Sequence, residues 1–128
     1  MTDLGTLSIR NEDSVREARL KVRTVAESLS GDQVAATRIA TAASEISRLY
    51  VALGAGTRVE LGFDRTPLGI DLCLAFESDS RVPDLGHLEG FFDQVARFED
   101  GDGKTVQRVT VELGGGPEPD ERLVRELR

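Results

Sequence analysis

The sequence predicts an α/β fold of the α+β kind, a two-layer sandwich in which helices cover one face of a mixed, mostly antiparallel sheet. Three observations predict it. Two consecutive segments ahead of Gly54 repeat apolar side chains every three or four positions, the helical period. From Thr57 the repeat drops to two, as strands with one covered face require. Pro67 with Gly69, and the run Asp100-Gly-Asp-Gly103, mark tight turns of the kind that joins antiparallel strands.

The elements follow in order. Leu4 to Arg10 reads as a strand with Leu7 and Ile9 on one face. A helix is predicted next, opened by the capping box Ser14-Val-Arg-Glu17, with Val15, Ala18, Val22, Val25 and Leu29 as its buried stripe. Arg16, Arg19, Lys21 and Arg23 form its wet face, and Ser30-Gly31 ends it. The central helix runs from an Asp32 N-cap to Leu53, and Gly54 supplies the left-handed exit. Its stripe is Ala35, Ile39, Ala43, Ile46, Tyr50 and Leu53, and the short connection makes the two helices antiparallel neighbours.

Thr57 to Asp64 and Ile70 to about Glu77 form a hairpin, with Val59, Leu61, Phe63, Ile70, Leu72, Leu74 and Phe76 inward. A short helix is expected from Pro83 or Asp84 to about Gln94, carrying Leu85, Leu88, Phe91, Phe92 and Val95. Lys104 to Leu113 is a strand with Val109, Val111 and Leu113 inward. Residues 1–114 thus make one domain, and 115–128 a Gly/Pro linker followed by the start of a C-terminal helix, expected to lead to an effector domain.

Composition narrows the function. A chain of 128 residues, 39% hydrophobic and 30% charged, has room for one soluble globular domain. No apolar run approaches the roughly 20 residues a membrane helix needs, and Met-Thr-Asp-Leu is not a leader, so a cytoplasmic protein is expected. Sixteen basic against twenty-three acidic residues give a net charge of −7 with no basic stripe, which argues against nucleic acid. Cys73 and His87 stand alone in their types, so neither a zinc site nor a Cys/His pair is expected within one chain, and Cys73 reads as a buried structural thiol.

One carboxylate, Glu45, interrupts the small apolar central helix. It reads either as a solvated acid paired with Arg48 or Arg38, or as a group projecting into a site. The helix Thr41-Ala-Ala-Ser-Glu-Ile-Ser-Arg48, followed by Gly54-Ala-Gly-Thr57, resembles the histidine-kinase-type ATPase superfamily (GHKL), and within it the bacterial anti-sigma-factor serine kinases. The resemblance extends loosely through Gly69 to Phe76 and Val82-Pro-Asp84. It implies a Bergerat-like sandwich, with Glu45 at the general-base position and ATP with magnesium as the cofactor.

Three departures follow. The metal-ligating amide expected four residues after Glu45 is Leu49, which cannot coordinate a hard cation. The adenine loop aligns with Glu77-Ser-Asp-Ser-Arg81, which keeps an acid at Glu77 or Asp79 but lacks both glycines. The lid and second Gly-rich loop are missing between Val82 and Leu85. The expectation is therefore a nucleotide-free regulatory domain of bacterial signal transduction that binds a protein partner or an attached effector and forms a homodimer, with Glu45 vestigial. One alternative is a working serine kinase and anti-sigma factor using Glu45 with Glu77 or Asp79. Another is an unrelated small-ligand domain, in which Arg38, Arg48, Arg58, Arg81 and Arg108 assemble an anion site.

Overall fold

The computed structural model describes residues 1–54, 56–79, 81–114 and 118–128. Its elements are β1 (Thr2–Ile9), α1 (Glu12–Ser30), α2 (Gln33–Ala52), β2 (Thr57–Thr66), β3 (Gly69–Ser78), a 3₁₀ segment (Gly86–Phe91), β4 (Gln94–Glu99), β5 (Thr105–Leu113) and α3 (Glu121–Leu127). The strands form one open sheet in the order β1-β2-β3-β5-β4, antiparallel at every pairing. With the helices packed on one face, the two-layer α+β sandwich is the architecture found. No helix of the described residues is long and apolar enough to cross a membrane.

Local signals explain most boundaries. Helix α1 starts three residues earlier than the Ser14-x-x-Glu17 motif indicates, because Asn11 is the N-cap. The Asn11 side chain accepts from the Ser14 N–H at 3.0 Å, and the Ser14 hydroxyl accepts from the Asn11 N–H at 3.0 Å. Ser14 thus fills the reciprocal place usually held by Glu or Gln. Asp32 caps α2 through the N–H groups of Val34 and Ala35, at 3.0 and 3.1 Å. Gly31 and Gly54 take the left-handed conformation at the helix exits. Contacts from Gln33 to Glu27 near the turn, and from Arg48 to Glu12 at the far end, establish the antiparallel pair.

The buried side of α2 is broader than the expected stripe. Ile39, Ala43, Ile46 and Tyr50 lie in the core as predicted, whereas Ala36 and Ala40 replace Ala35, and Leu53 is exposed beyond the helix end. The cause is that α2 buries itself against α1 as well as the sheet, so two adjoining sectors are covered. In the sheet, Val59, Leu61, Phe63, Ile70, Leu72, Leu74, Phe76 and Val109 all face the helices, with Leu61, Leu74 and Val109 in one cross-strand row.

Two segments depart from the expectation. The helix expected to run to Gln94 is a six-residue 3₁₀ segment, followed by strand β4, which takes Val95. Gly86 sits at φ +54 and Gly90 offers no side chain to pack, so the segment cannot extend into an α-helix. Leu85 and Leu88 are buried as expected, while Phe91 is partly exposed. The Asp100 turn joins β4 to β5 as a hairpin.

Helix α3 docks on the domain. Leu127 is buried against the core, Lys21 Nζ donates to the Leu127 carbonyl, and Arg128 Nε donates to the Asp3 carbonyl at 3.1 Å. Lys21 is therefore not simply on a wet face, and burial lowers its pKa. Arg65 donates to the Pro119 carbonyl at 2.6 Å, which fixes the approach to α3. The expected linker residues Gly115, Gly116 and Pro117 lie outside the described residues.

The packing predicts a contrast between two apolar truncations. Ile46→Ala, at a fully buried position, lowers the unfolding free energy by about 2–5 kcal/mol in urea titration. Leu68→Ala, at a hairpin tip 83% exposed, changes it by less than about 0.5 kcal/mol.

Candidate functional site

The candidate site begins on α2 with Glu45 and Leu49, which share a helix face at a separation of four. Glu45 is exposed, and among the described residues it makes no hydrogen bond or ion pair. Neither expected partner reaches it. Arg48 turns to α1, donating from Nε and Nη2 to Glu12 Oε1 at 3.1 and 2.9 Å, and feels Glu45 only through its charge. The Arg48 hydrogen bond holds the Glu12 carboxyl below its usual range, and the Arg48 guanidinium is raised in turn. Arg38 lies over the Phe91 ring, 5.7 Å from its centroid.

Leu49 is partly buried and packs against the hydrophobic core. The remaining acids do not converge on Glu45. Glu77 follows Phe76 on β3, and strand alternation points its side chain to the face opposite the helices. The Glu77 carbonyl accepts from the Thr57 hydroxyl at 2.6 Å. Asp79 is exposed beyond β3, in an open hollow of about 600 Å³ with Arg10, Arg58, Val51, Gly54 and Gly56. Val51 stands six residues from Glu45, roughly 9 Å along the helix axis. Ala55 and Ser80, which belong to the Gly54 and Glu77 motifs, lie outside the described residues.

A second groove, of about 500 Å³, opens at the other end of α2 between Asp32, Arg38, Ile39, Phe91, Val111 and Leu113; Glu45 does not line it. The five arginines considered as an anion site are dispersed. Arg38 and Arg48 are on α2, Arg58 pairs with Glu60 at 4.0 Å, Arg81 is on an exposed loop, and Arg108 covers the Phe98 ring at 5.5 Å. Among the described residues no group of three His, Cys, Asp or Glu side chains is placed to hold a metal ion.

The polar chemistry that is organised lies inside the sandwich. Gln107 on β5 is fully buried, and its Nε2 donates to the Tyr50 hydroxyl on α2 at 3.3 Å. Arg97 Nε on β4 donates to Gln107 Oε1 at 2.6 Å, and Arg97 Nη2 meets Glu89 of the 3₁₀ segment at 3.3 Å. Tyr50 stacks on Phe76, with centroids 5.5 Å apart and planes 6° apart. Burial raises the Tyr50 pKa, opposed by the Gln107 hydrogen bond and the Arg97 charge, so it is a neutral structural phenol. Sequence reasoning missed this network, although the alternation of Val109, Val111 and Leu113, continued back by two, places Gln107 inward.

No protein-family model matches the chain, and no curated protein matches it.

Two predictions follow from these environments. Tyr50→Phe strips a partner from a buried amide and lowers stability by about 1 kcal/mol, measured by chemical denaturation with the near-ultraviolet spectrum as a check on packing. Cys73 is buried; burial raises its thiol pKa, and the Asp64 and Asp71 charges add to the effect against a Thr110 contact and Arg108. A raised folded-state pKa means the thiol form is favoured by folding, so stability is full below the free-thiol range and declines as pH rises through it. Cys73 should react with an aromatic disulfide reagent far more slowly in native protein than in urea, and equal rates would refute its burial.

Proposed function

We propose that this chain is a non-catalytic regulatory domain of bacterial signal transduction, built on a histidine-kinase-like ATPase scaffold that no longer holds a nucleotide and acting in the cytoplasm through a protein partner. The observation that carries the reading is Leu49. Where the resemblance calls for an amide to hold magnesium, this side chain packs against the core, one helical turn from a solvated and unpartnered Glu45. Two further observations support it. Glu77 faces away from α2, so the acid aligned with the adenine loop is on the wrong side of the sheet for Glu45. The chain also passes from the end of β3 at Ser78 to the 3₁₀ segment at Gly86 with no room for a lid or a Gly-rich phosphate cradle.

A scaffold in this condition retains an ordered surface without phosphoryl chemistry. Its exposed sectors on α2 and its open sheet face are then surfaces for recognition.

Isothermal titration of the domain with ATP and magnesium, and with a non-hydrolysable analogue, tests the reading. The expected outcome is no saturable heat up to about 1 mM nucleotide, which bounds any binding free energy at about −4 kcal/mol. Magnesium-dependent binding that disappears in Glu45→Ala would overturn it in favour of an active serine kinase and anti-sigma factor.

A further inference from the structure

We propose that β4 is a homotypic edge, through which two copies of this chain pair antiparallel about a two-fold axis at Phe98 and join their sheets into one. The sheet has two edges, and they are treated differently. The β1 edge carries a register shift between Asp3 and Gly5 and is approached by α3, whose Arg128 takes up the Asp3 carbonyl. These are the usual ways of blunting an edge. Among the described residues strand β4 has neither: its register against β5 is unbroken, it contains no Gly or Pro, and no described strand pairs with its outer side.

The hydrogen-bond phase shows what this edge offers. Asp100 N–H donates to the Lys104 carbonyl at 2.9 Å, which sets the alternation of rungs in the hairpin. Phe98 and Ala96 therefore direct their backbone groups to β5, and the N–H and C=O of Arg97 and Glu99 point outward. An antiparallel second copy with Phe98 on the axis sets Arg97 opposite Glu99 of the second copy, and Glu99 opposite its Arg97. Each such pair exchanges two N–H···O bonds, about four in all.

The side chains fit the same register. Arg97 uses Nε for Gln107 and Nη2 for Glu89, which leaves Nη1 free among the described residues, and Glu99 has no ion pair of its own. The two cross-copy ion pairs thus form between groups that are available on both sides. On the other face Phe98 is 43% exposed, a large aromatic side chain on an edge strand, with Arg108 stacked on it. At the axis it meets Phe98 of the second copy in a non-hydrogen-bonded pair, where cross-strand side chains approach most closely. Sliding the register by two residues to put Arg97 on the axis opposes Arg97 to Arg97, so charge selects the first alignment. Neither Glu45 nor Leu49 takes part in this pairing, which is independent of whether nucleotide binds.

Sedimentation equilibrium over a concentration series tests it. The wild-type chain is expected to dimerise reversibly, and Glu99→Arg to weaken the dimer at least tenfold by opposing like charges. Glu99→Pro removes an outward N–H without touching the β5 ladder and should have the same effect, with circular dichroism confirming the fold. Oxidation of Phe98→Cys is expected to cross-link two chains, whereas Ala96→Cys does not. A wild-type chain that is monomeric at about 1 mM would overturn the proposal. So would a dimer indifferent to Glu99→Arg, or equal cross-linking at positions 98 and 96.

Discussion

The stacking of Tyr50 on Phe76, closed by the Gln107 hydrogen bond, fixes the rotation of α2 on the sheet, and the character of the rest of the surface depends on it. With Tyr50, Ile46, Ala43 and Ile39 directed into the core, helical geometry sets Leu49 at the rim and Glu45 in water. A helix turned far enough to bring Glu45 inward would unstack Tyr50 and expose Ile46, forfeiting about 1.5–3 kcal/mol for that isoleucine alone. The solvated state of Glu45 is thus a consequence of core packing.

The buried amide is the price of this arrangement and also its anchor. Gln107 loses hydration completely, which is tolerable only because both ends of its side chain are bonded. Its partners come from different elements: Tyr50 from α2, Arg97 from β4 and, beyond Arg97, Glu89 from the 3₁₀ segment. Such a chain couples α2, β4 and β5, because displacing any of the three leaves the buried Gln107 amide with an unpaired donor or acceptor, while the exposed Glu89 contact adds the 3₁₀ segment more loosely. The 3₁₀ segment is consequently tied to the sheet through Arg97 as well as through Leu88.

Much of the fold was legible because its signals are local. Asp32 and Gly31 act where the sequence places them, and the period-two runs from Thr57 to Glu77 pair as a hairpin in the expected orientation. What escaped was either a choice between two neighbouring caps or was set at long range. Ser14 carries a capping signature, yet Asn11 holds the cap, since either short polar side chain can open a helix and only the chain's entry angle decides. Strand β4 is an edge, half wet on both faces, so Gln94 to Glu99 shows almost no periodicity; only its β5 partner makes it a strand. The candidate site was legible in its parts and not in its assembly. Glu45 and Leu49 share a face as spacing requires, but Arg48 prefers Glu12, thirty-six residues away, over the acid three residues before it.

Helix α3 shows how context completes a marginal local signal. Seven residues are too few for a stable isolated helix, so α3 is ordered by what it touches. Asp120 caps its start through the Leu123 N–H, and at its end the Lys21 ammonium meets the Leu127 carbonyl, where the helix dipole favours a cation. Leu127 supplies the apolar anchor between them. The lysine loses part of its hydration at this contact, as its lowered pKa indicates, and α3 is held against the start of β1. The segment from Asp120 that reads from sequence as the start of a C-terminal helix thereby packs on the sandwich, at the end of the sheet farthest from β4.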